Sequence, residues 1–450
     1  MTYPEALTYL GVARRFGMKL GLDTMRELAR RLGDPQQKLR FIHLAGSNGK
    51  GSTAAFCESC LRAAGYRVGL YTSPHLVSVR ERFQIDRALI SEEDFVEGMG
   101  VVREAIAPMK TQEPTFFEIT TALALWYFAR EKVDWVVWET GLGGRLDATN
   151  IVDPEVCIIT NIGLEHQQYL GNTLREIAAE KAGIIKPGVP VVSGVEIGEA
   201  SEVINACAKT ERCSLTLVSR DVEVKDLGLR DGRQMAGIDG REFALGLLGS
   251  HQVSNAACAV EAMYQIRLRD PQSFGLGPDC NSISDDVIAR GLENTIWPGR
   301  FEIISEQPLI VLDGAHNPAG MKKLIETWRA FLAERKIDAR AHLVFASVAD
   351  KDISEMARLL QPLAQEVSLV RLANERTADP AKLAESFSGL PCTLYDSVTD
   401  VWRKLEQKNS TCPVLITGSL FLVGEMLARR RGDAGEYELN ERLEKSSVKR

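Results

Sequence analysis

The chain has 450 residues, of which 45% are hydrophobic and 26% are charged, and its formal net charge is −7. This composition is typical of a soluble protein with two or three domains, and the acidic balance argues against a partner such as nucleic acid or an anionic membrane. No apolar run approaches the roughly 18 residues of a membrane span, and the first residues lack a signal-peptide core. We therefore expect a cytoplasmic protein that acts on small molecules.

The first half of the chain alternates short apolar runs with longer amphipathic segments. Strands are predicted at LRFIHLAG, YRVGLYTS, VDWVVWET, PEVCIITN and VPVVSGV, and helices at STAAFCESCLRAAG, FFEITTALALWYFAREK and TLREIAAEKAGII. This alternation predicts an α/β domain with a P-loop-type, doubly wound and mostly parallel sheet. The turn-rich stretch around 220–245 predicts a small antiparallel β insertion.

A second strand-helix series then begins, from PLIVLDGAHNP to CPVLITGSLFLVGEMLARR, and predicts a smaller Rossmann-like α/β domain. Pro298 and Gly299 break any helix near the junction. We expect one domain over 1–296, a second over 297–430, and a charged tail over 431–450 that has little to bury and is disordered.

The nine cysteines are scattered and odd in number, which favours free thiols in a reducing compartment. Cys57 and Cys60 form a C-x-x-C pair on a predicted helix, but no second pair lies at zinc-site spacing. We expect buried structural thiols, with metal or redox chemistry as the alternative.

The stretch FIHLAGSNGKGST is close to the phosphate-binding pattern G-x-x-x-x-G-K-[ST] but departs from it twice. Leu44 stands where the first glycine belongs, and Gly51 follows the lysine. The physical requirement is that a strand ends, backbone N–H groups turn inward and a helix begins with its positive end at the phosphates. Lys50 supplies charge, and we expect Ser52 and Thr53 to cap the helix. The stretch therefore predicts a compact nucleotide site, the alternative being a glycine-rich turn without a ligand.

Three further polar residues follow predicted strands, where open α/β sheets bind ligands. Glu139 ends one strand and is suited to holding Mg²⁺, directly or through water. His166 follows a second strand and Ser73 a third. Each also has an ordinary structural alternative: a capping glutamate, a core histidine and a Ser-Pro turn.

The stretches AGSNGKGST, YTSPHL, TFFE, ETGLGGRLDATN, GLEHQQYLG, EKAGI, WPGRFE and DGAHNP occur in this order. Together they resemble the folylpolyglutamate synthase and bifunctional dihydrofolate synthase family of the Mur ligase superfamily, over nearly the whole chain. In that superfamily the compact loop is the normal form. The resemblance implies an ATP-dependent ligase that adds L-glutamate to 7,8-dihydropteroate and to reduced folates through an acyl phosphate, as a monomer. A folylpolyglutamate synthase without dihydrofolate synthase activity is the nearest alternative.

The resemblance also implies roles for individual residues. The ATP phosphates would be held by Ser47, Asn48, Gly49, Lys50, Gly51 and Ser52. Mg²⁺, at two sites, would be held by Ser73, Glu139 and His166. Lys50, His166 and Lys181 would be catalytic, and Lys181 matches a lysine that is carbamylated in the family. An unmodified lysine that pairs with phosphate is the alternative for Lys181.

Other implied contacts come from both predicted domains. The nucleotide would be contacted by Asn255, Arg300, Asp313 and His316. The pterin would be bound by Thr115, Phe116, Phe117, Glu118, Leu146, Asp147 and Ala148, since aromatic faces stack on flat rings. For Phe116 and Phe117, plain helix core is the alternative.

Other functional classes fit less well. Peptidoglycan Mur ligases carry an extra N-terminal domain, for which the early position of the loop leaves no room. A GTPase-type switch would need an N-K-x-D tetrad, and none occurs. A nucleotide-binding scaffold without chemistry would tolerate loss of Glu139, His166 and Lys181, which are all present. The six histidines form no H-x-H or H-E-x-x-H cluster of a metal hydrolase.

Overall fold

The structure, a computed structural model, describes residues 1–14, 17, 19, 21–109, 113–269, 283–374, 376–407, 412–433, 435, 436 and 439. Its first sheet has eight strands in the order β4-β3-β2-β5-β1-β6-β7-β8. Their bounds are β1 Phe41–Ala45, β2 Val68–Tyr71, β3 Phe83–Ile85, β4 Ala88–Leu89, β5 Trp135–Glu139, β6 Val156–Ile159, β7 Val191–Ser193 and β8 Leu215–Leu217. The strands from β2 to β8 in this order are parallel, and β3 and β4 form an antiparallel edge that the sequence patterns did not predict.

Helices cover both faces of this sheet. They are α1 Tyr3–Ala13, α2 Asp23–Arg31, α3 Lys50–Ala63, α4 Glu92–Ile106, α5 Phe116–Arg130, α6 Gln167–Leu170, α7 Leu174–Ala182, α8 Glu199–Thr210, α9 Val218–Asp221, α10 Ser250–Arg269 and α11 Asp285–Glu293. Alternate residues of a strand point to opposite faces. In β1, Ile42 and Leu44 accordingly join the core under α3 and α10, while Phe41 joins the core under α4 and α5. The doubly wound sheet predicted from the sequence is therefore confirmed.

A small antiparallel sheet follows, in the order β11-β10-β9. Its strands are β9 Val224–Arg230, β10 Arg233–Ile238 and β11 Arg241–Leu245. Phe243 and Leu245 are buried with α3 and α10, so the insertion shares the core of the first sheet. This is the antiparallel insertion predicted over 220–245.

The third sheet has six strands in the order β12-β13-β17-β14-β15-β16, all parallel except β12. Its strands are β12 Glu302–Glu306, β13 Leu309–Leu312, β14 Ala341–Phe345, β15 Ala364–Val370, β16 Cys392–Tyr395 and β17 Val414–Thr417. Its helices are α12 Pro318–Glu334, α13 Ile353–Leu360, α14 Pro380–Ser386, α15 Val398–Gln407 and α16 Leu420–Arg431. The expected boundary at 296/297 lies between α11 and β12, in the connection between the two large sheets.

Part of the predicted tail departs from expectation. Residues 440–450 lie outside the described residues, but Leu439 is only 8% exposed and packs in the core beside α1. The expectation that the chain beyond 431 has little to bury is therefore wrong at this residue, because α1 offers an apolar face that the sequence alone does not pair with it.

Two other expectations concern cysteines and membranes. Cys57 and Cys60 are buried in α3, and burial raises the pKa of both thiols, as expected of structural cysteines. Across the described ranges, no helix combines the length and the apolar character needed to cross a bilayer.

Candidate active site

A cleft of about 340 Å³ lies between the two large sheets. On the first side it is lined by residues that follow four neighbouring strands of the order β2-β5-β1-β6. These residues are Ser73 after β2, Glu139 at the end of β5, Lys50 after β1 and His166 after β6. Because parallel strands end at the same edge of a sheet, residues that are far apart in sequence meet in one cleft.

The phosphate loop between β1 and α3 is tied to the segment after β6. The backbone N–H of Asn48 donates to Asn161 Oδ1 at 2.8 Å, and Thr160 Oγ1 donates to the carbonyl of Asn48 at 2.7 Å. Ser47 Oγ donates to the carbonyl of Gly163 at 3.1 Å. The loop is therefore held in shape by Thr160 and Asn161, which the sequence analysis did not single out although they stand at a strand end.

Two glycines explain why the loop is compact. Gly49 has φ +83° and is the N-cap of α3, and a Cβ there would lie 2.5 Å from Asn255 Oδ1. A Cβ at Gly51 would lie 3.0 Å from the indole of Trp297, in the connection to the second large sheet. The usual Ser or Thr after the lysine would therefore crowd this indole.

The expectation that Ser52 and Thr53 cap α3 is wrong. The helix begins at Lys50, so both residues lie within its first turn, and both are buried. Ser52 Oγ accepts from Gln252 Nε2 at 3.4 Å and does not line the cleft. The early start follows from Gly49, whose left-handed conformation ends the loop before a hydroxyl residue is reached.

Lys50 and Lys181 converge on one carbonyl oxygen. The Nζ atoms of both side chains donate to the oxygen of Gly46, each at 2.9 Å, and Lys181 also donates to Glu165 Oε1 at 2.8 Å. Burial, together with the charge of Lys50, lowers the pKa of Lys181 to about 8 although Glu165 opposes the shift. Despite its burial, Glu165 has a pKa below the usual value because of the two ammonium groups.

Glu139 is a buried carboxylate facing the same cleft. It is 3% exposed, and its Oε2 accepts from the backbone N–H of Ser73 at 3.1 Å. Burial raises its pKa to about 7, although Lys50 and Arg300 favour the charged form. His166 stands at the N-cap of α6 with φ +44°, and burial lowers its pKa. The neutral imidazole is the form that binds a metal ion, whereas the raised pKa of Glu139 means that metal binding would also displace a proton from its carboxyl group.

The donor set is compatible with Mg²⁺. Within the described residues, no three His, Cys, Asp or Glu side chains gather as a metal cluster. Glu139, His166 and the hydroxyl of Ser73 would leave most positions of an octahedral ion to water and phosphate, which is the usual arrangement for Mg²⁺ beside a nucleotide. A buried carboxylate with few compensating charges nearby is stabilised strongly by such an ion.

Of the four residues expected to contact the nucleotide beyond the phosphate loop, two line the cleft and two do not. Arg300 and His316 line it, and burial lowers the pKa of His316 to about 4. Asp313 does not line it, and its two carboxylate oxygens accept from the backbone N–H groups of Phe301 and Ala315 at 2.9 and 2.8 Å. Asn255 does not line it either and lies against Gly49.

The expected pterin residues form one wall of the cleft, and they also shape α5. Thr115 and Glu118 make the reciprocal capping box at the start of that helix, with Glu118 Oε2 accepting from the Thr115 N–H at 2.8 Å. Phe117 reaches the cleft, whereas Phe116 both lines it and is buried in the core. Both aromatic residues therefore pack in or against the core and also line the cleft, and their contact with a pterin stays a prediction.

The loop after β5 supplies the rest of this wall. Leu146, Asp147 and Ala148 line the cleft. Asp147 accepts from the N–H of Leu142 at 2.8 Å and of Thr149 at 3.0 Å, so its carboxylate fixes the loop.

Four basic residues line the cleft that the sequence analysis missed: Arg14, Lys19, Lys351 and Arg376. Lys351 and Arg376 follow β14 and β15, so the rule that ligands bind at strand ends, applied to the six-stranded sheet, would have found them. Arg14 and Lys19 follow α1 and gave no local signal, because a basic residue after a helix is common.

Comparisons with known proteins agree with this geometry. The profile of the Mur ligase middle domain matches residues 44–263, and that of the Mur ligase glutamate ligase domain matches 299–420. A dihydrofolate synthase/folylpolyglutamate synthase of Bacillus subtilis is 36% identical over 95% of this chain and 99% of its own. Escherichia coli FolC in complex with DHPP and ADP is 29% identical with a TM-score of 0.81, covering 96% of this chain and 98% of its own. A bifunctional folylpolyglutamate synthase/dihydrofolate synthase with Mn, AMPPNP and L-glutamate bound is 31% identical with a TM-score of 0.80, covering 96% and 98%.

Proposed function

The chain belongs to the dihydrofolate synthase/folylpolyglutamate synthase family of Mur ligases, and from this premise we propose that it is an ATP-dependent ligase that adds L-glutamate to 7,8-dihydropteroate and to reduced folates. The observation that carries the proposal is a single cleft in which a phosphate loop, a metal-compatible carboxylate and an aromatic wall meet. The ligands of the related structures, ADP with DHPP and AMPPNP with Mn and L-glutamate, are the parts of this reaction.

The reaction needs two steps because oxide is a poor leaving group. A carboxylate oxygen of the acceptor attacks the γ-phosphorus of ATP, and the bond to ADP breaks. The amine of L-glutamate then attacks the acyl carbon, loses a proton, and expels phosphate with the former carboxylate oxygen. The site must therefore hold a triphosphate and a carboxylate together against their repulsion, with cations placed in advance.

The chain offers these cations around the phosphate loop. Lys50 and the N–H groups at the start of α3 would bind the phosphates, supported by the position of both at the N-terminus of that helix. Ser73, Glu139 and His166 would hold Mg²⁺, which would supply positive charge that offsets the repulsion between the two anions. Lys181, with its pKa near 8, can react with CO₂ as the neutral amine, and the resulting carbamate would replace its positive charge by oxygen donors.

The second half of the chain would close the site. We propose domains over 1–296 and 297–430, with Arg300 and His316 approaching the nucleotide when they close. Lys351 and Arg376 line the cleft and would bind the carboxylates of L-glutamate, for which Arg376 would exchange its ion pair with Asp350. We further propose that the protein is a cytoplasmic monomer, in keeping with a cleft whose described lining residues come from both halves of one chain.

A folylpolyglutamate synthase without dihydrofolate synthase activity remains the second candidate. One observation favours it: Phe116, Thr115 and Glu118 are already engaged in the helix core and its cap, so their place in the wall does not require a pterin.

The proposal is tested by measuring ADP release with Mg²⁺, ATP, L-glutamate and an acceptor. Release should require both L-glutamate and the acceptor, and Lys50→Ala should abolish it while the unfolding transition stays cooperative. Lys225→Ala, which removes an exposed lysine from β9, is the matched control. Normal turnover by Lys50→Ala would refute the assignment of the phosphate loop.

A further inference from the structure

After α16 the chain returns to the first domain and contacts α1. We call its two described contact residues, Glu436 and Leu439, the C-terminal strap. Leu439 is buried in the core cluster of α1, and a Cβ at Gly11 would lie 3.7 Å from its side chain. The strap therefore connects α16, the last helix of the six-stranded sheet, to α1, the first element of the chain.

Glu436 binds several groups at once. Its Oε1 accepts from the hydroxyl of Tyr3 at 2.6 Å, and its Oε2 accepts from Ser78 Oγ at 3.1 Å and from the Val79 N–H at 2.7 Å. Its own backbone N–H donates to the carbonyl of Val77 at 2.8 Å. Hydrogen bonds to a carboxylate are the stronger kind, so this residue fixes the segment it contacts.

The segment fixed in this way is residues 73–79, which we call the Ser73 loop. At one end Ser73 lines the cleft and donates its N–H to Glu139. Near the other end, Glu81 accepts from the N–H groups of Leu76 and Val77 at 2.7 and 3.0 Å. Two carboxylates thus hold one loop, Glu81 from within the first domain and Glu436 from the far end of the chain.

The Ser73 loop also lies between the domains. Val77 is buried in the core cluster of α16, and a Cβ at Gly299 would lie 3.3 Å from the side chain of Leu76 and 2.8 Å from that of Val423. Because the loop contacts both domains, a movement of either one could shift Ser73. The hydrogen bonds to Glu81 and Glu436 hold the loop against such a shift.

A second path leads from Glu436 to the aromatic wall. The carbonyl of Glu436 accepts from His75 Nε2 at 3.4 Å, because the Nδ1 of His75 accepts from Arg82 Nε at 3.0 Å. The fully buried guanidinium of Arg82 lies 5.1 Å from the ring centroid of Phe116. The backbone of the strap therefore also supports the residues behind the pocket wall.

We propose that Glu436 is a positioning residue, which holds the Ser73 loop so that Ser73 and the wall at Phe116 stand correctly in the cleft. It does not line the cleft and acts through Val79, Ser78 and Tyr3. The inference rests on the proposed function, since it assigns Ser73 to the site of MgATP. Loss of this positioning should weaken the binding of Mg²⁺ with nucleotide while the unfolding transition stays unchanged.

The test compares Glu436→Gln with wild type and with Asp433→Asn, an exposed acidic residue beyond α16 that serves as control. Glu436→Gln keeps the shape but weakens the charge-assisted bonds. We expect the Mg²⁺ concentration for half-maximal activity to rise about tenfold, in keeping with the loss of a hydrogen bond to a charged group. Tyr3→Phe, which removes one of the bonds, should give a smaller rise. Asp433→Asn should match wild type.

Two readouts do not depend on turnover. Hydrogen exchange of a peptide covering 73–79 should be faster in Glu436→Gln than in Asp433→Asn. Calorimetric titration with Mg²⁺ and a non-hydrolysable ATP analogue should show a weaker Kd. If wild type shows no ligase activity, the proposed function fails, and these two readouts still decide the role of Glu436.

Unchanged exchange and unchanged Mg²⁺ dependence in Glu436→Gln would overturn the inference. So would a lower unfolding midpoint together with an equal fall of kcat at every Mg²⁺ concentration, because that pattern belongs to a residue that only stabilises the fold.

Discussion

Replacing Glu139 by glutamine should make the metal-free protein more stable, although it removes a residue of the active site. The carboxylate is 3% exposed, and burial raises its pKa from the ordinary value of 4.5 to about 7. Glutamine keeps an oxygen that can accept from the Ser73 N–H and carries no charge to bury.

The magnitude follows from the pKa. A rise from 4.5 to about 7 corresponds to roughly 3 kcal/mol, at 1.36 kcal/mol for each factor of ten. An acid whose pKa is raised on folding destabilises the folded protein only when it is ionised. The free energy of unfolding is therefore highest below pH 4.5, falls between pH 4.5 and 7, and is lowest above pH 7. Without divalent metal, Glu139→Gln should therefore gain up to about 3 kcal/mol at pH 8 and nothing at pH 4.

Urea unfolding with EDTA at pH 4 and pH 8 measures this gain. The matched control is Glu425→Gln, since Glu425 is 8% exposed in α16 and burial also raises its pKa to about 7. Both variants should gain stability at pH 8. Only Glu139→Gln should then lose the stabilisation that Mg²⁺ with an ATP analogue gives to wild type. The reasoning is refuted if Glu139→Gln is no more stable than wild type at pH 8, or if Mg²⁺ stabilises both glutamine variants equally.

Three further predictions concern residues next to the site. Burial lowers the pKa of His43 to about 3, so the neutral imidazole stabilises the folded protein fully above pH 6.5 and progressively less as the pH falls toward 3. Between pH 8 and pH 5, wild type should therefore lose about 2 kcal/mol more of its free energy of unfolding in urea than His43→Gln does. Carbon-13 NMR with labelled bicarbonate at pH 8 should show a carbamate in wild type and none in Lys181→Arg; a signal in both would assign it elsewhere. Gly144→Ala should cost about 1–3 kcal/mol in urea unfolding, because its Cβ would lie 2.8 Å from the carbonyl of Lys181; an unchanged midpoint would contradict this packing.

The larger parts of the fold could be predicted because their signals are local. Alternating apolar and amphipathic segments fixed β1, β2, β5 and β6, and hence the common edge at which Glu139 and His166 meet. The short β3 and β4 gave no such signal, since two or three residues carry no readable period.

Other features depend on contacts between distant residues. The reason for Gly51 is the indole of Trp297, nearly 250 residues away in the chain, and no pattern within the loop reveals it. The start of α3 was misplaced because Ser52 and Thr53 are good capping residues, but the left-handed Gly49 begins the helix first. Glu436 was assigned to a tail without structure, since its partner Tyr3 stands at the opposite end of the chain.

The ligase activity is tested most directly by measuring the masses of the reaction products. Purified protein would be given Mg²⁺, ATP and L-glutamate with 7,8-dihydropteroate in one reaction and tetrahydrofolate in another, and both would be analysed by mass spectrometry. We predict that each acceptor gains one or more glutamyl residues while ADP accumulates. A gain on tetrahydrofolate alone would keep the ligase and remove the dihydrofolate synthase activity. No gain on either acceptor, from protein that still binds ATP, would contradict the proposed ligase activity.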